Sequence, residues 1–384
     1  MFKNISETLR SYDYKTVNFR LIIYVIALTV LGISVINSAS GGDVSLVRKQ
    51  ILGLAIGAAA MIFLSLVRYE FIARYYWIIY LGALVFLGAV LTPLGHSSGG
   101  AQRWFKIGDS FTIQPSEFCK IFLLIFFSAF LVKNRQMINS WKFLLFTFVL
   151  IALPIFLILR EPDLSTSIVT LLMICVIIFM SDIQAKYIRR ILYVAVPALA
   201  GIIALIVILP AENNIISRYQ YNRIIGFYDS ENEVAKKINY QQENSVLAIA
   251  GGGLTGKGLN NDSVTSVKNA DFISAPETDF IFTIIGEELG FIGSMAVLIL
   301  LFLIVIECIR TGMRARENIG RSISIGFGAL IGFQTIINLA VVTRLIPNTG
   351  LTLPFVSAGM SSLIVLYMGV GIVLNTGLRM KNTL

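Results

Sequence analysis

The stretch LIIYVIALTVLGISVINSA, residues 21–39, contains no charged side chain. An α-helix rises about 1.5 Å per residue, so a run of this length crosses the roughly 30 Å hydrocarbon core of a bilayer. Only a helix or a closed barrel satisfies its own backbone groups there. Lys3, Arg10, Lys15 and Arg20 precede the run, and Ser38, Ala39 and Ser40 offer small residues at its end. That pattern invites a removable signal sequence, but the apolar run is too long for a usual signal core, so it reads as a retained first span, 19–39.

The same reading extends along all 384 residues. Further apolar runs fall at about 49–67, 74–94, 115–132, 142–159, 163–181, 188–210, 278–309, 322–344 and 353–378. Ten spans predict an all-α, polytopic membrane helix bundle forming one integral membrane domain over 1–384. The eighth is long enough to tilt or to project beyond the bilayer. No internal repeat marks the chain as an inverted-repeat transporter.

Composition agrees. Hydrophobic residues make up 56% of the chain, charged residues only 14%, and mean hydropathy is +0.79. A soluble domain needs more charge to cover its surface. The net charge of +9 could suggest nucleic acid, yet most basic residues sit at the ends of apolar runs, where they orient spans in a membrane. Cys119, Cys175 and Cys308 lie in or beside apolar runs without metal-ligand spacing, and the single His96 has no partner in its loop.

With the N-terminus inside, inward segments carry 18 Lys and Arg residues and short outward loops only 6: Arg48, Lys49, Arg103, Lys106, Arg160 and Arg344. That asymmetry places both termini in the cytoplasm. The long segment from about 211 to 277 then lies outside, where a long loop is usually functional or disordered. Within it Tyr240–Ile249 is too short to span and reads as an interfacial or re-entrant helix ended by Gly251, Gly252 and Gly253.

Ionisable groups at membrane depth are the informative ones, because each is costly unless paired or hydrated. Glu117 and Lys120, three apart, share a helix face, and a bundle could bring Asp163 towards them. The set reads either as a buried ion-pair staple or as chemistry. Pro276-Glu277-Thr278-Asp279-Phe280 opens the eighth span. Acidic residues there suit a helix start. Asp279, facing outwards beside apolar neighbours, also suits a general base. Arg103, Trp104, Arg218 and Arg223 form an outward basic group. Guanidinium groups pair bidentately with phosphate, so the group suits a lipid diphosphate, or simple headgroup anchoring. The run Gly251–Gly258 with Lys257 is not a nucleotide loop, since Gly258 stands where Ser or Thr is needed.

Taken in order, these motifs resemble the SEDS family, the shape, elongation, division and sporulation proteins that include RodA, FtsW and SpoVE. Ser38-Ala39-Ser40, Gly100–Trp104, Gln114-Pro115-Ser116-Glu117 with Lys120, and Glu161-Pro162-Asp163-Leu164 each match a family motif. So do Tyr240-Gln241 with Ser245 and the glycine run, Pro276–Phe282 with Glu287–Gly290, and Gly350–Ser357. The resemblance covers nearly the whole chain.

It implies a peptidoglycan glycosyltransferase that polymerises lipid II, the undecaprenyl-diphosphate-linked disaccharide peptide, at the outer face of the bacterial cell membrane. It implies Asp279 as catalytic base, with Arg103, Trp104, Arg223, Lys257, Glu277 and Ser357 towards the substrate and Glu117, Lys120 and Asp163 shaping the cavity. A divalent cation, magnesium or manganese, is a candidate cofactor with Asp279 as its ligand. A class B penicillin-binding protein, a transpeptidase, is the implied partner, packed on lipid-facing helices such as the eighth and ninth spans; nucleic acid is not expected. Gly256-Lys257-Gly258-Leu259 resembles the elongation members more than the division members. The chain departs from the family pattern at Glu161, usually Gln, at Ser165, usually Gly, and at Ala358 and Met360. Two other readings stay open: a lipid II flippase, and a membrane scaffold for a transpeptidase without catalysis.

Overall fold

Each apolar run needs a start that satisfies the first free N–H groups of its helix, and most starts are local. In the computed structural model, Asn18 accepts from Leu21 N to open α1 (Phe19–Ala39), and Asp43 accepts from Ser45 N to open α2 (Val44–Leu66). α3 (Tyr69–Arg74) and α4 (Tyr76–Val90) meet at Tyr75. α5 (Pro115–Lys133) starts on a proline, α6 (Trp141–Arg160) on Ser140, and α7 (Leu164–Phe179) on Asp163, whose side chain accepts from Thr166 N. α8 (Glu233–Gly251), α9 (Ile281–Arg314), α10 (Asn318–Val342) and α11 (Met360–Gly377) complete the order. The structure describes residues 16–98, 101–108, 111–193, 233–261 and 275–378, with single residues 197, 201, 221, 223, 227, 266 and 273.

Among the described residues, seven helices are long and apolar enough to cross a membrane: α1, α2, α5, α6, α9, α10 and α11. The shorter apolar α4 and α7 fall on the third and sixth expected spans. The chain is thus the all-α membrane bundle that its hydropathy predicts. The seventh span begins as helix at 185–193, and the rest of it lies outside the described residues. Arg218 and most of the long loop do too.

Burial sorts the helices. In α5 and α11, 83% of the apolar window is buried, against 22% in α2, so α5 and α11 form the centre and α2 faces outwards. A helix that is apolar all round belongs in such a centre. The outer helices present bare apolar faces, as with Val85, Leu145 and Phe148. Faces of that size would be untenable in water and are ordinary against lipid. Aromatic stacking ties α4, α5 and α6 together, with Tyr80 and Phe126 centroids 4.3 Å apart and Phe130 and Phe143 5.1 Å apart.

Three features differ from the sequence expectation. The segment before α5, read as a plain loop, is a small antiparallel sheet of β1 (His96–Ser98), β2 (Ala101–Ile107) and β3 (Phe111–Ile113) in the order β1-β2-β3. Arg103, Trp104 and Lys106 therefore sit on a strand. The sheet is too short for its alternation to stand out in sequence.

The eighth span, expected over 278–309, starts at Ile281 and is broken at Gly290, where φ is 63° and ψ −160°. An unbroken helix would bond Phe291 N to Glu287 O and Ile292 N to Glu288 O. Instead Phe291 N donates to Gly253 O at 2.9 Å and Ile292 N to Leu254 O at 3.1 Å. The freed carbonyls of Glu287 and Glu288 accept from Lys257 N at 3.0 Å and Gly258 N at 2.9 Å. The glycine run is thus a plug that fills the gap in α9, bond for bond, as an interrupted helix at membrane depth requires. The half-helix Ile281–Glu288 above the break is buried at every residue. α8, expected as an interfacial helix, docks on protein: Gln242 Nε2 donates to Val341 O at 2.6 Å and Ser245 Oγ to Val342 O at 2.8 Å.

Candidate active site

Antiparallel spans alternate in direction, so every second helix begins at the same end of the bundle. α2, α5, α7 and α11 begin around one cavity of about 460 Å³, and Thr278 and Asp279 reach it from the start of α9. Each helix N-terminus carries roughly half a positive charge, so five of them around one space favour anions there, although Asp43 and Asp163 already cap α2 and α7. Arg103, Arg223 and Lys49 line the same cavity, as do Glu117, Asp163 and Trp104.

Asp279 is held by its backbone. Asn338 on α10 donates to Asp279 O at 2.8 Å and to Leu351 O at 2.6 Å. Ser357 Oγ donates to Thr278 O at 2.7 Å and accepts from Leu353 N at 2.8 Å, and Ala358 N donates to Glu277 O at 2.8 Å. The loop after α10 therefore clamps residues 277–279 and leaves the Asp279 carboxylate to the cavity. Burial pushes that carboxyl above the usual carboxylate range; Arg223 and then Arg103 pull it back, while Asp163 and Glu277 add to the rise. A base with a raised pKa binds a transferred proton more readily.

Gly350 is where Arg223 and Asp279 meet. Its φ is +76°, and a Cβ placed on it would lie 3.1 Å from an Arg223 Nη1 and 3.4 Å from Asp279 Oδ2. Arg223 also donates to Asn348 O at 3.4 Å. Gly350→Ala is expected to strain the loop by about 1–2 kcal/mol through its left-handed backbone and to displace the guanidinium. Activity should fall about ten- to a hundredfold, since small misplacements near reacting groups have effects of that order. Turnover compared with melting temperature checks this; an equal, large loss of both would mean that the glycine is only structural.

The acidic residues across the cavity have different tasks. Lys120 Nζ lies 2.8 Å from Glu117 Oε1 and 3.4 Å from Gln334 Oε1, with both charged side chains buried. Gln334 in turn donates to Thr352 O at 3.0 Å. The pair thus ties α5 to α10 and to the loop that clamps Asp279. Asp163 is not joined to Lys120: it caps α7 and accepts from Gln114 at 3.1 Å. Arg103 Nε donates to Glu161 O at 2.8 Å and its Nη2 to Pro162 O.

Three residues expected at the substrate stand elsewhere. Lys257 is 2.7 Å from the buried Glu287 carboxylate, in the plug rather than the cavity, because the glycine run is occupied by the break in α9. Glu277 and Ser357 act behind the cavity wall through the backbone bonds given above. Conversely, Lys49, Gln50, Thr352 and Ser361 line the cavity and were not singled out from sequence. Gln50 donates to Ser357 O at 3.2 Å and accepts from Gly359 N at 3.1 Å. An amide in an apolar run, as also at Gln334 and Asn338, is the signal that could have found Gln50; Lys49, Thr352 and Ser361 carry none. Among the described residues no three His, Cys, Asp or Glu side chains converge on one point, so there is no protein cage for a divalent cation. A magnesium-type ion takes only one or two carboxylates when phosphate supplies the remainder, and Asp279 fits that lesser part.

The fold and cavity define a polytopic membrane protein with an anion-favouring site built at one end of its bundle. The family model for cell cycle proteins of the FtsW, RodA and SpoVE type matches residues 17–382. The chain belongs to that family. It is 29% identical to the probable peptidoglycan glycosyltransferase FtsW of Geobacter metallireducens, covering 99% of this chain and 100% of that one. It is 31% identical to the stage V sporulation protein E of Bacillus subtilis, covering 92% and 95%. Among solved structures, a chain of a peptidoglycan synthase complex coordinating polymerization and crosslinking matches with a TM-score of 0.76 at 26% identity, over 94% of this chain and 97% of that one. The rod shape determining protein RodA of Thermus thermophilus matches with a TM-score of 0.67 at 25% identity, over 95% and 96%.

Proposed function

We propose that this chain joins lipid-linked disaccharide peptides into glycan strands at the outer face of the cytoplasmic membrane, with Asp279 as the base. The chain is a peptidoglycan glycosyltransferase, the activity that its curated relatives' names carry. One observation carries the mechanism: Asp279, Arg103 and Arg223 share one cavity at the convergence of five helix starts. By the bias of basic residues, that end of the bundle is the outer one and both termini are cytoplasmic.

Asp279 removes the proton of the acceptor sugar's 4-hydroxyl as that oxygen attacks the anomeric carbon of the donor. The donor's bond to undecaprenyl diphosphate breaks with inversion, and the diphosphate leaves with its negative charge. Arg103 and Arg223, with Lys49 beside them, stabilise that charge in a site of low dielectric. A divalent cation entering with the diphosphate would take Asp279 as its protein ligand and neutralise the same charge. A cavity of about 460 Å³ suits a sugar diphosphate headgroup, with the lipid tail left in the bilayer.

Purified protein given lipid II in detergent should produce glycan strands. A flippase or a scaffold would yield none, because transport has no meaning without a membrane barrier, and absence of product from folded protein would overturn the assignment. For the cellular role we favour elongation, on Gly256-Lys257-Gly258-Leu259; division and sporulation are the roles that the relatives' names carry. Depletion separates elongation from division, giving rounded cells in the first case and filaments in the second. A class B penicillin-binding protein is the partner we expect. The solved synthase complex supports it, and Phe291, Ile299 and Phe302 on α9 offer an exposed apolar face for its membrane helix.

A further inference from the structure

Glu161 is the least accommodated ionisable group near the cavity. It is 0% exposed, and among the described residues no donor meets its carboxyl oxygens in good hydrogen-bond geometry; the Ser116 hydroxyl is the one donor near enough to act on it. It closes the C-terminus of α6, where helix carbonyls present negative charge and disfavour an anion. Ile158, whose carbonyl accepts from Glu161 N at 3.1 Å, and Cys119, which feels its charge, belong to an apolar cluster with Ala83 and Leu87 from α4. The groups that act on it are Asp163 in its own loop, Arg103 from β2, Ser116 from α5 and the Cys119 thiol. Arg160 next to it turns outwards over the Phe156 ring, 5.7 Å from its centroid. An ionised carboxylate in that setting would be a buried charge that Ser116 and Arg103 offset only in part.

The loop that holds Glu161 is also the anchor of Arg103, whose guanidinium reaches the cavity while donating to the carbonyls of Glu161 and Pro162. Two residues on, Asp163 caps α7 and lines the cavity. A negative charge at Glu161 would draw the guanidinium away from those carbonyls and repel Asp163. A neutral carboxyl leaves both in place and presents the same shape as an amide.

We propose that Glu161 is a positioning residue that works as a neutral carboxylic acid, holding Arg103 on the cavity wall, and that losing its proton disengages Arg103 and silences the site in alkali. Burial and then Asp163 push its carboxyl up to about 9, against the pull of Ser116 and Arg103. The sign for stability follows. The folded value lies above the ordinary glutamate value of 4.5, so between 4.5 and about 9 the unfolded chain binds fewer protons than the folded one. Stability from this group therefore declines as pH rises through that window.

The proposal rests on the glycosyltransferase reading only for its activity arm, so the test has two arms. In the first, lipid II polymerisation is followed from neutral to alkaline pH in wild type and Glu161→Gln. At neutral pH the two should agree within about twofold, since the amide mimics the neutral acid. Above the titration the wild type should fall by about tenfold per pH unit while Glu161→Gln holds. The loss should show first as a higher KM for lipid II, because Arg103 faces the diphosphate. Parallel profiles, or a Glu161→Gln protein that is inactive at neutral pH, would overturn the proposal. The second arm needs no activity: infrared difference spectra of detergent-purified wild type should show a protonated carboxyl band lost only on alkaline titration and missing from Glu161→Gln. The Tm gap between the variant and wild type should widen from acid to alkaline pH. If Glu161→Gln does not fold, the wild-type infrared titration decides alone, and loss of every buried carboxyl band by neutral pH refutes the idea.

Discussion

Asp279→Asn is expected to lower glycan polymerisation by about 10²- to 10⁴-fold, the range for removing a general base. The substitution keeps shape and removes only the proton acceptor. Residues 277–279 are held through backbone carbonyls, by Asn338 at Asp279 O, Ser357 at Thr278 O and Ala358 at Glu277 O, and none of those bonds needs the carboxylate. The fold should therefore survive. Melting temperature should stay level or rise, because a carboxylate that burial disfavours is exchanged for a neutral amide. KM for lipid II should change little and kcat should carry the loss, since the proton is transferred only in the transition state. Strand formation by the purified variant at the wild-type rate would remove Asp279 from the mechanism.

The second large effect is expected far from the chemistry. Gly256→Ala should destabilise the protein by several kcal/mol, through loss of the plug in α9. Its φ is +80°, and a Cβ there would lie 2.1 Å from Glu288 O, 2.4 Å from its carbon and 2.6 Å from Gly290 N. All three are backbone atoms and cannot swing aside. The loop must lift, which releases up to four backbone bonds across the break, each contributing about 1 kcal/mol, in addition to about 1–2 kcal/mol of left-handed strain. The half-helix Ile281–Glu288 that follows Asp279 then loses its support. Gly253→Ala is the control: its φ is +55°, but nothing lies within 4 Å of the added carbon, so it should show only the strain. Thermal melting of both variants in detergent checks this, and equal shifts would mean that the close approach contributes nothing.

The bundle was legible because hydrophobic transfer acts residue by residue. A run such as 21–39 has no good place but lipid, whatever its neighbours do. The kinks, the small sheet and the plug were not, because they depend on which segments meet. Gly290 reads as the end of a motif, and Gly251–Gly258 as a helix end that fails the nucleotide-loop pattern. Only together do they form one exchanged set of hydrogen bonds. The candidate site was legible in part. Asp279, Glu117 and Asp163 stood out as acids at or beside membrane spans and Arg103 and Arg223 as an outward basic group, and all five line one cavity. Lys257 was expected at the substrate from the family resemblance alone and lies in the plug, bound to Glu287. Lys49 was counted only as an orientation charge, and no spacing in the chain connects it to Asp279.

The sequence by itself determined that this chain crosses a membrane many times as helices, because apolar length and backbone satisfaction are local requirements. It also determined that acids and arginines stand near helix ends. Tertiary structure decided which of those charges share a space, because alternating helix direction gathers every second N-terminus at one end and close packing settles each side chain's neighbours. It also decided that Glu161, marked in the sequence only as a departure from the family's usual Gln, is sealed from water beside Asp163, since solvation is a property of the surroundings and not of the residue.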